Sequence, residues 1–122
     1  MERAEAAVRQ GELALREGDC ELAVNRAYYA AFYAATALLE TRGLQTSRHS
    51  ATLRLFGREF VEQGLMAGSH GKTLNVLFRE RQKVDYTPAP DVAGAQAAEH
   101  LHSAREFVAD AEALLGNIPG EG

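Results

Sequence analysis

Two short stretches of the 122-residue chain concentrate side chains that could bind or move phosphate and protons. In the first, Asn25, Arg26, Tyr29 and Tyr33 fall so that Arg26, Tyr29 and Tyr33 are spaced i, i+3 and i+7, one helical face, with Asn25 beside Tyr29. In the second, Arg81 and Asp85 are four residues apart, close enough to pair on a helix, and Tyr86 follows. His49 stands alone between them. A guanidinium grips phosphate through two parallel hydrogen bonds, and a phenol can stack on a base or donate to a phosphate oxygen. If the two stretches meet, they make a cleft with two arginines, an acid and several phenols. A lone histidine beside an apolar face is more often a hydrogen-bonded packing residue, because a site needs a partner group as well. Arg81–Asp85 can equally be a structural ion pair, which limits the penalty of partial burial without adding stability.

The element carrying the first stretch spans residues 21–40. Between its two glutamates lie eighteen residues with one formal charge, Arg26, and seven alanines. Alanine is the best helix former, and a helix with so few charges is surrounded by protein on most sides. Its polar residues therefore need partners, as members of a buried network or as the wall of a site. It is barely long enough to cross a bilayer and carries Asn25, Arg26 and three tyrosines, so it does not read as a membrane span.

The other segments are also helical. Residues 2–17 place Ala4, Ala7, Val8, Gly11, Ala14 and Leu15 on one face, and Gly18 ends the helix. Asp19 caps the central helix, and Cys20 at its start reads as packing. Gly43-Leu44 and Gly64-Leu65 are both stop signals, a left-handed glycine and then an apolar residue that packs back. Between them a third helix, about 48–63, takes Thr46 or Ser47 as cap and turns Leu53, Phe56, Phe60 and Val61 inward. A fourth, about 70–86 with Ser69 as cap, buries Leu74, Leu77 and Phe78. Its inward line then switches to Arg81 and Asp85. The run 86–91, with Pro88 and Pro90, breaks the chain. Asp91 caps a last helix to about residue 116, with Ala97, Leu101, Ala104, Val108, Ala111 and Leu115 as its seam. The tail 117–122 reads as frayed. Nothing reads as strand. The expectation is one all-α domain over 1–122, an antiparallel up-and-down four-helix bundle with a short fifth helical element.

One cysteine excludes an internal disulfide and a cysteine-based zinc site. His100 and His102 lie on different faces and cannot share a metal from one helix, so no metal or cofactor is expected. The first residues have no apolar signal core, and a cytoplasmic protein is expected. Net charge is −4, against a general nucleic-acid binder. Residues 42–83 nevertheless carry eight Lys/Arg against three Glu, leaving −9 on the flanks. That basic middle is a solvated pair of helix faces or a patch for phosphates.

The run Asn25-Arg26-Ala27-Tyr28-Tyr29-Ala30-Ala31-Phe32 resembles the signature helix of HEPN-domain proteins. The likeness continues through His49-Ser50, Phe56 to Phe60 and Arg81 to Tyr86, and is closest to a compact branch with an Arg-x-x-x-Asp-Tyr motif. Such proteins are small, all-helical, homodimeric and often paired with minimal nucleotidyltransferases in prokaryotic toxin–antitoxin or defence-type systems. Many are metal-independent ribonucleases whose arginine is followed after four to six residues by a histidine. Arg81 matches that arginine. The histidine positions hold Tyr86, Thr87 and Pro88, or Val84, Asp85 and Tyr86 when counted from Arg79. The resemblance therefore implies first a homodimeric partner of a nucleotidyltransferase with a cleft for nucleotide or RNA. In that cleft Asn25, Arg26, Tyr29, Tyr33 and His49 would contact the ligand. A metal-independent endoribonuclease toxin using Arg81, with Asp85, Tyr29 or His49, is the second reading. A structural bundle with no ligand is the third. In toxin-type relatives a tyrosine past the histidine can be modified with nucleotide by the partner, and Tyr86 lies near that place.

Overall fold

The protein is described by a computed structural model over residues 1–88 and 90–117. Five α-helices follow one another: α1 Glu2–Arg16, α2 Cys20–Glu40, α3 His49–Phe56, α4 Gly68–Tyr86 and α5 Gly94–Asn117. A π-helical turn, Gly57–Val61, continues α3. No strand occurs among the described residues. The architecture is an all-α antiparallel bundle in which α1, α2, α4 and α5 are the long members. The central position belongs to α2, which packs against each of the other four helices.

Its alanines explain how. Ten of its 21 residues are buried, six of them alanine, so four neighbours approach without crowding. Gly11 does the same from the other side. A Cβ there would come within 2.6 Å of Leu101 Cδ1 and 3.3 Å of Arg26 Cβ, so α1 lies directly against α2 and α5. The main core adds Phe56, Phe60, Leu74, Leu77, Leu101 and Phe107 to the α2 face. Phe107 was not on the seam read from the sequence, yet it is fully buried, with its ring 5.2 Å from that of Phe56.

Turn chemistry follows expectation at the glycines. Gly18, Gly43 and Gly64 have φ of +80°, +70° and +73°. Leu44 N–H returns to Leu39 O at 3.1 Å and Leu65 N–H to Phe60 O at 2.9 Å. The Asp19 carboxylate accepts from Leu22 N–H at 3.1 Å, as a cap should. Three other caps differ from expectation. The N-cap of α3 is Arg48, without a side-chain cap bond, while Thr46 Oγ1 accepts from Arg48 N–H at 3.2 Å in the preceding turn. Helix α4 starts at Gly68 with Ala67 as N-cap, so Ser69 lies inside the first turn. That early start carries His70 into the core, where its Nε2 meets Asp110 of α5 at 2.6 Å. Helix α5 starts at Gly94, beyond Asp91. The chain first packs Val92 against Ala14, Ala23, Val24 and Ala97, and only then turns into helix. No helix among the described residues is long and apolar enough to cross a membrane. Residues 118–122 of the expected frayed tail lie outside the described residues.

Candidate functional site

The two polar stretches meet. From α4, Arg81 Nη1 donates to the Tyr29 hydroxyl of α2 at 3.1 Å. The Arg81 guanidinium carbon lies 5.1 Å from the Tyr28 ring centroid and 5.6 Å from that of Tyr29. Arg26 approaches Tyr29 as well, at 5.1 Å. Both distances fall within cation–π range, so Tyr29 holds two guanidinium groups on its ring.

The two arginines are unequally satisfied. Arg26 donates through Nε and Nη2 to Asn25 Oδ1, at 2.9 and 2.8 Å, and through Nη1 to Gln10 Oε1 of α1 at 3.0 Å. Its partners are thus neutral amides, and the close packing at Gly11 brings Gln10 within reach. Arg81 has one carboxylate nearby, Asp85 Oδ2 at 3.5 Å, on a side chain 39% exposed against 17% for the arginine. The Arg81 Nε is buried without a hydrogen-bond partner among the described residues. An orphaned buried donor costs about 1–3 kcal/mol, and such groups call for an explanation.

Histidine 49 begins α3 and joins the same cluster. Its Nδ1 lies 2.7 Å from the Tyr28 hydroxyl, and its ring stacks on Phe32 at 4.2 Å and 19°. Tyr29 meets it edge-on at 6.0 Å. Burial lowers the His49 pKa below its ordinary value, and the nearby Arg81 charge lowers it further. Burial pushes the Tyr28 phenol well above the tyrosine range, with Arg81 partly opposing. The imidazole is therefore neutral and the phenol protonated near neutral pH.

Of the residues singled out from sequence, Asn25, Arg26, Tyr29, His49, Arg81 and Asp85 fall in or at the edge of this cluster. Tyr33 extends it along α2, its ring 5.6 Å from that of Tyr29. Its own arginine is Arg3 of α1, which donates to the Tyr33 hydroxyl at 3.1 Å and lies 4.2 Å from its ring. Tyr86 stands apart, 81% exposed at the end of α4. Tyr28, Phe32, Gln10 and Arg3 were not among the expected site residues. Tyr28 and Phe32 are four apart on α2, a second stripe beside the Arg26–Tyr29–Tyr33 face, and that spacing was the available signal. A depression of about 420 Å³ farther along α2, between Thr36, Glu40 and the α2–α3 loop, lies beyond the arginines. No group of His, Cys, Asp and Glu that could hold a metal occurs among the described residues.

An all-helical domain whose alanine-rich central helix presents Arg-Ala-Tyr-Tyr to an arginine on the fourth helix is a distinctive class. The sequence profile of the HEPN domain matches residues 1–115, and the chain belongs to that family. It is 34% identical over 116 residues to a UPF0332 protein of Thermotoga maritima, covering 95% of this chain and 88% of the relative. A UPF0332 protein of Gloeobacter violaceus is 32% identical over 117 residues, 89% of this chain and 93% of its own. A Methanocaldococcus jannaschii protein named "Putative toxin" is 28% identical over 108 residues, 88% of this chain and 74% of that one.

Proposed function

We propose that this protein is a toxin-type HEPN protein that works as a homodimer with a minimal nucleotidyltransferase, and that the Arg26–Tyr29–Arg81 cluster binds a phosphate of a nucleotide or of RNA. One observation carries the binding half. Two guanidinium groups share one tyrosine ring, and a single, half-exposed carboxylate answers them. With His49 neutral, the cluster keeps an excess positive charge beside flat aromatic faces, the combination that suits a phosphate with an attached base. The toxin half is supported by family membership together with the name of the Methanocaldococcus jannaschii relatives. The partner half rests on the resemblance of the signature helix to HEPN proteins paired with transferases. Tyr86, at 81% exposure, is accessible enough to be the residue such a transferase modifies.

The test has three arms. Fluorescence anisotropy with a labelled single-stranded oligoribonucleotide should show saturable binding that Arg81→Ala and Arg26→Ala each weaken. Equal binding by all three proteins sinks the cleft assignment. Co-expression with a minimal nucleotidyltransferase encoded beside this chain should yield a stable complex, and recovery of the two proteins separately sinks the partner assignment. Light scattering at the monomer mass would remove the dimer.

A second reading is favoured by one proximity, that of His49 and Arg81 around the Tyr28 and Tyr29 rings. Helix α4 lacks the histidine of HEPN ribonucleases, yet α3 delivers His49 to the neighbourhood of Arg81. Incubating RNA with the protein in chelator, with Arg81→Ala as control, tests whether that pair cleaves it.

A further inference from the structure

The Tyr28–His49 contact sets what the histidine can do. Tyr28 is fully buried, so its hydroxyl cannot turn to water. Its hydrogen-bond partner among the described residues is His49 Nδ1, at 2.7 Å. That contact holds one proton between oxygen and nitrogen, and two arrangements are open. If Nδ1 carried the hydrogen and donated, the phenol hydrogen would be left buried without an acceptor, a costly defect. If the phenol donates, both groups are satisfied, Nδ1 is the lone-pair nitrogen, and the neutral ring carries its hydrogen on Nε2. A second proton is disfavoured by burial and by the Arg81 charge. Stacking on Phe32 at 4.2 Å fixes the ring plane. Nε2 makes no hydrogen bond among the described residues, and His49 is only partly buried, so that N–H is available to a ligand.

We propose that Tyr28 is a positioning residue that fixes His49 as an Nε2–H donor, and that His49 and Arg81 together clamp a phosphate oxygen of the ligand. The proposal rests on the phosphate-binding reading above and sharpens it. The Arg81 guanidinium, 17% exposed and hydrogen-bonded among the described residues through Nη1 alone, and the unspent Nε2–H of His49 lie around the same pair of tyrosine rings. Both are donors, so the atom they share must be an acceptor. A nitrogen that already bears hydrogen cannot take a proton from a ribose hydroxyl. The same arrangement therefore argues against His49 as the general base of the ribonuclease reading.

Long-range proton–nitrogen correlation spectra of histidine-labelled protein at neutral pH test the first half, with His49→Gln assigning the signal. The expected spectrum shows His49 protonated on Nε2, and a mixture of tautomers in Tyr28→Phe. An Nδ1–H ring in the wild type, or an unchanged ring in Tyr28→Phe, overturns the assignment. If Tyr28→Phe does not fold, the wild-type tautomer alone decides. Anisotropy with the single-stranded oligoribonucleotide tests the clamp. His49→Gln should weaken binding by about three- to tenfold, the scale of one hydrogen bond, with exposed His102→Gln as an unaffected control. Wild-type binding that His49→Gln leaves unchanged overturns the clamp. Failure of the wild type to bind any oligoribonucleotide instead removes the function proposed above and the clamp with it, while the spectrum still decides the role of Tyr28.

Discussion

At the scale of single residues, the cluster is held together by contacts of modest strength. Arg81 meets Asp85 at 3.5 Å across a partly solvated gap, and its bond to Tyr29 is a single one. Breaking a closed, buried pair would cost about 3–5 kcal/mol, but this pair is open on the Asp85 side. Arg81→Ala also removes an orphaned donor. Its expected cost to folding is therefore about 1 kcal/mol, measured by urea unfolding, while ligand affinity should fall about 10- to 100-fold through the lost charge-assisted bonds. A loss of several kcal/mol with no change in binding would return Arg81 to a structural role. His49 makes a prediction in pH. Its folded pKa lies below the ordinary 6.5, so below that value the unfolded chain binds more protons than the native one. The His49 contribution is thus whole above pH 6.5 and is lost as pH falls through the folded value. The groups facing it are Arg81 from α4 and Tyr28 and Tyr29 from α2. The urea midpoint should drop between pH 7.5 and pH 5.5, and His49→Gln should make that drop shallower.

At the scale of elements, helix α2 was legible because its composition admits few alternatives. Alanines at closely spaced positions and one charge in eighteen residues require burial on several sides, and α2 is packed against all four other helices. Asp19 was legible too, since a carboxylate just before a helix has one good use. Asp19→Ala should cost about 1 kcal/mol in urea unfolding. Ser69 and Asp91 are the same kind of residue and do not cap. In each case a contact distant in sequence wins: His70 with Asp110, forty residues on, and Val92 with residues of α1 and α2. Phe107 was hidden for a related reason. It sits beside the alanine seam of α5, where the breadth of the buried face depends on what α3 and the π turn present. Phe56 and Phe60 stack at 5.9 Å and fill that space, and the π turn adds a residue to the helical winding there. Phe107→Ala should cost about 3–5 kcal/mol, read from the urea midpoint. Tyr28 escaped because a sequence lists its hydroxyl but not the ring nitrogen that reaches it across 21 positions.

At the scale of the whole molecule, the puzzle is an acidic protein with a cationic cluster. The net charge of −4 opposes long-range attraction to nucleic acid, yet Arg26 and Arg81 face the same tyrosine and a single carboxylate, Asp85, pairs with Arg81 alone. The two facts give different signatures in salt. A basic surface binding RNA nonspecifically neutralises many phosphates, and its affinity falls steeply as salt rises. Binding at this cluster should involve about two phosphate-directed charges per protomer, which for single strands gives a slope of log affinity against log salt of about −1.4. Arg81→Ala should bring the slope to about −0.7, because one cation is removed. His49→Gln should weaken binding with no change in slope, because the neutral imidazole releases no counterion. That contrast separates the two members of the clamp by charge alone. A wild-type slope several times steeper would show that the basic stretch 42–83, with its eight lysines and arginines, binds the RNA across the surface instead.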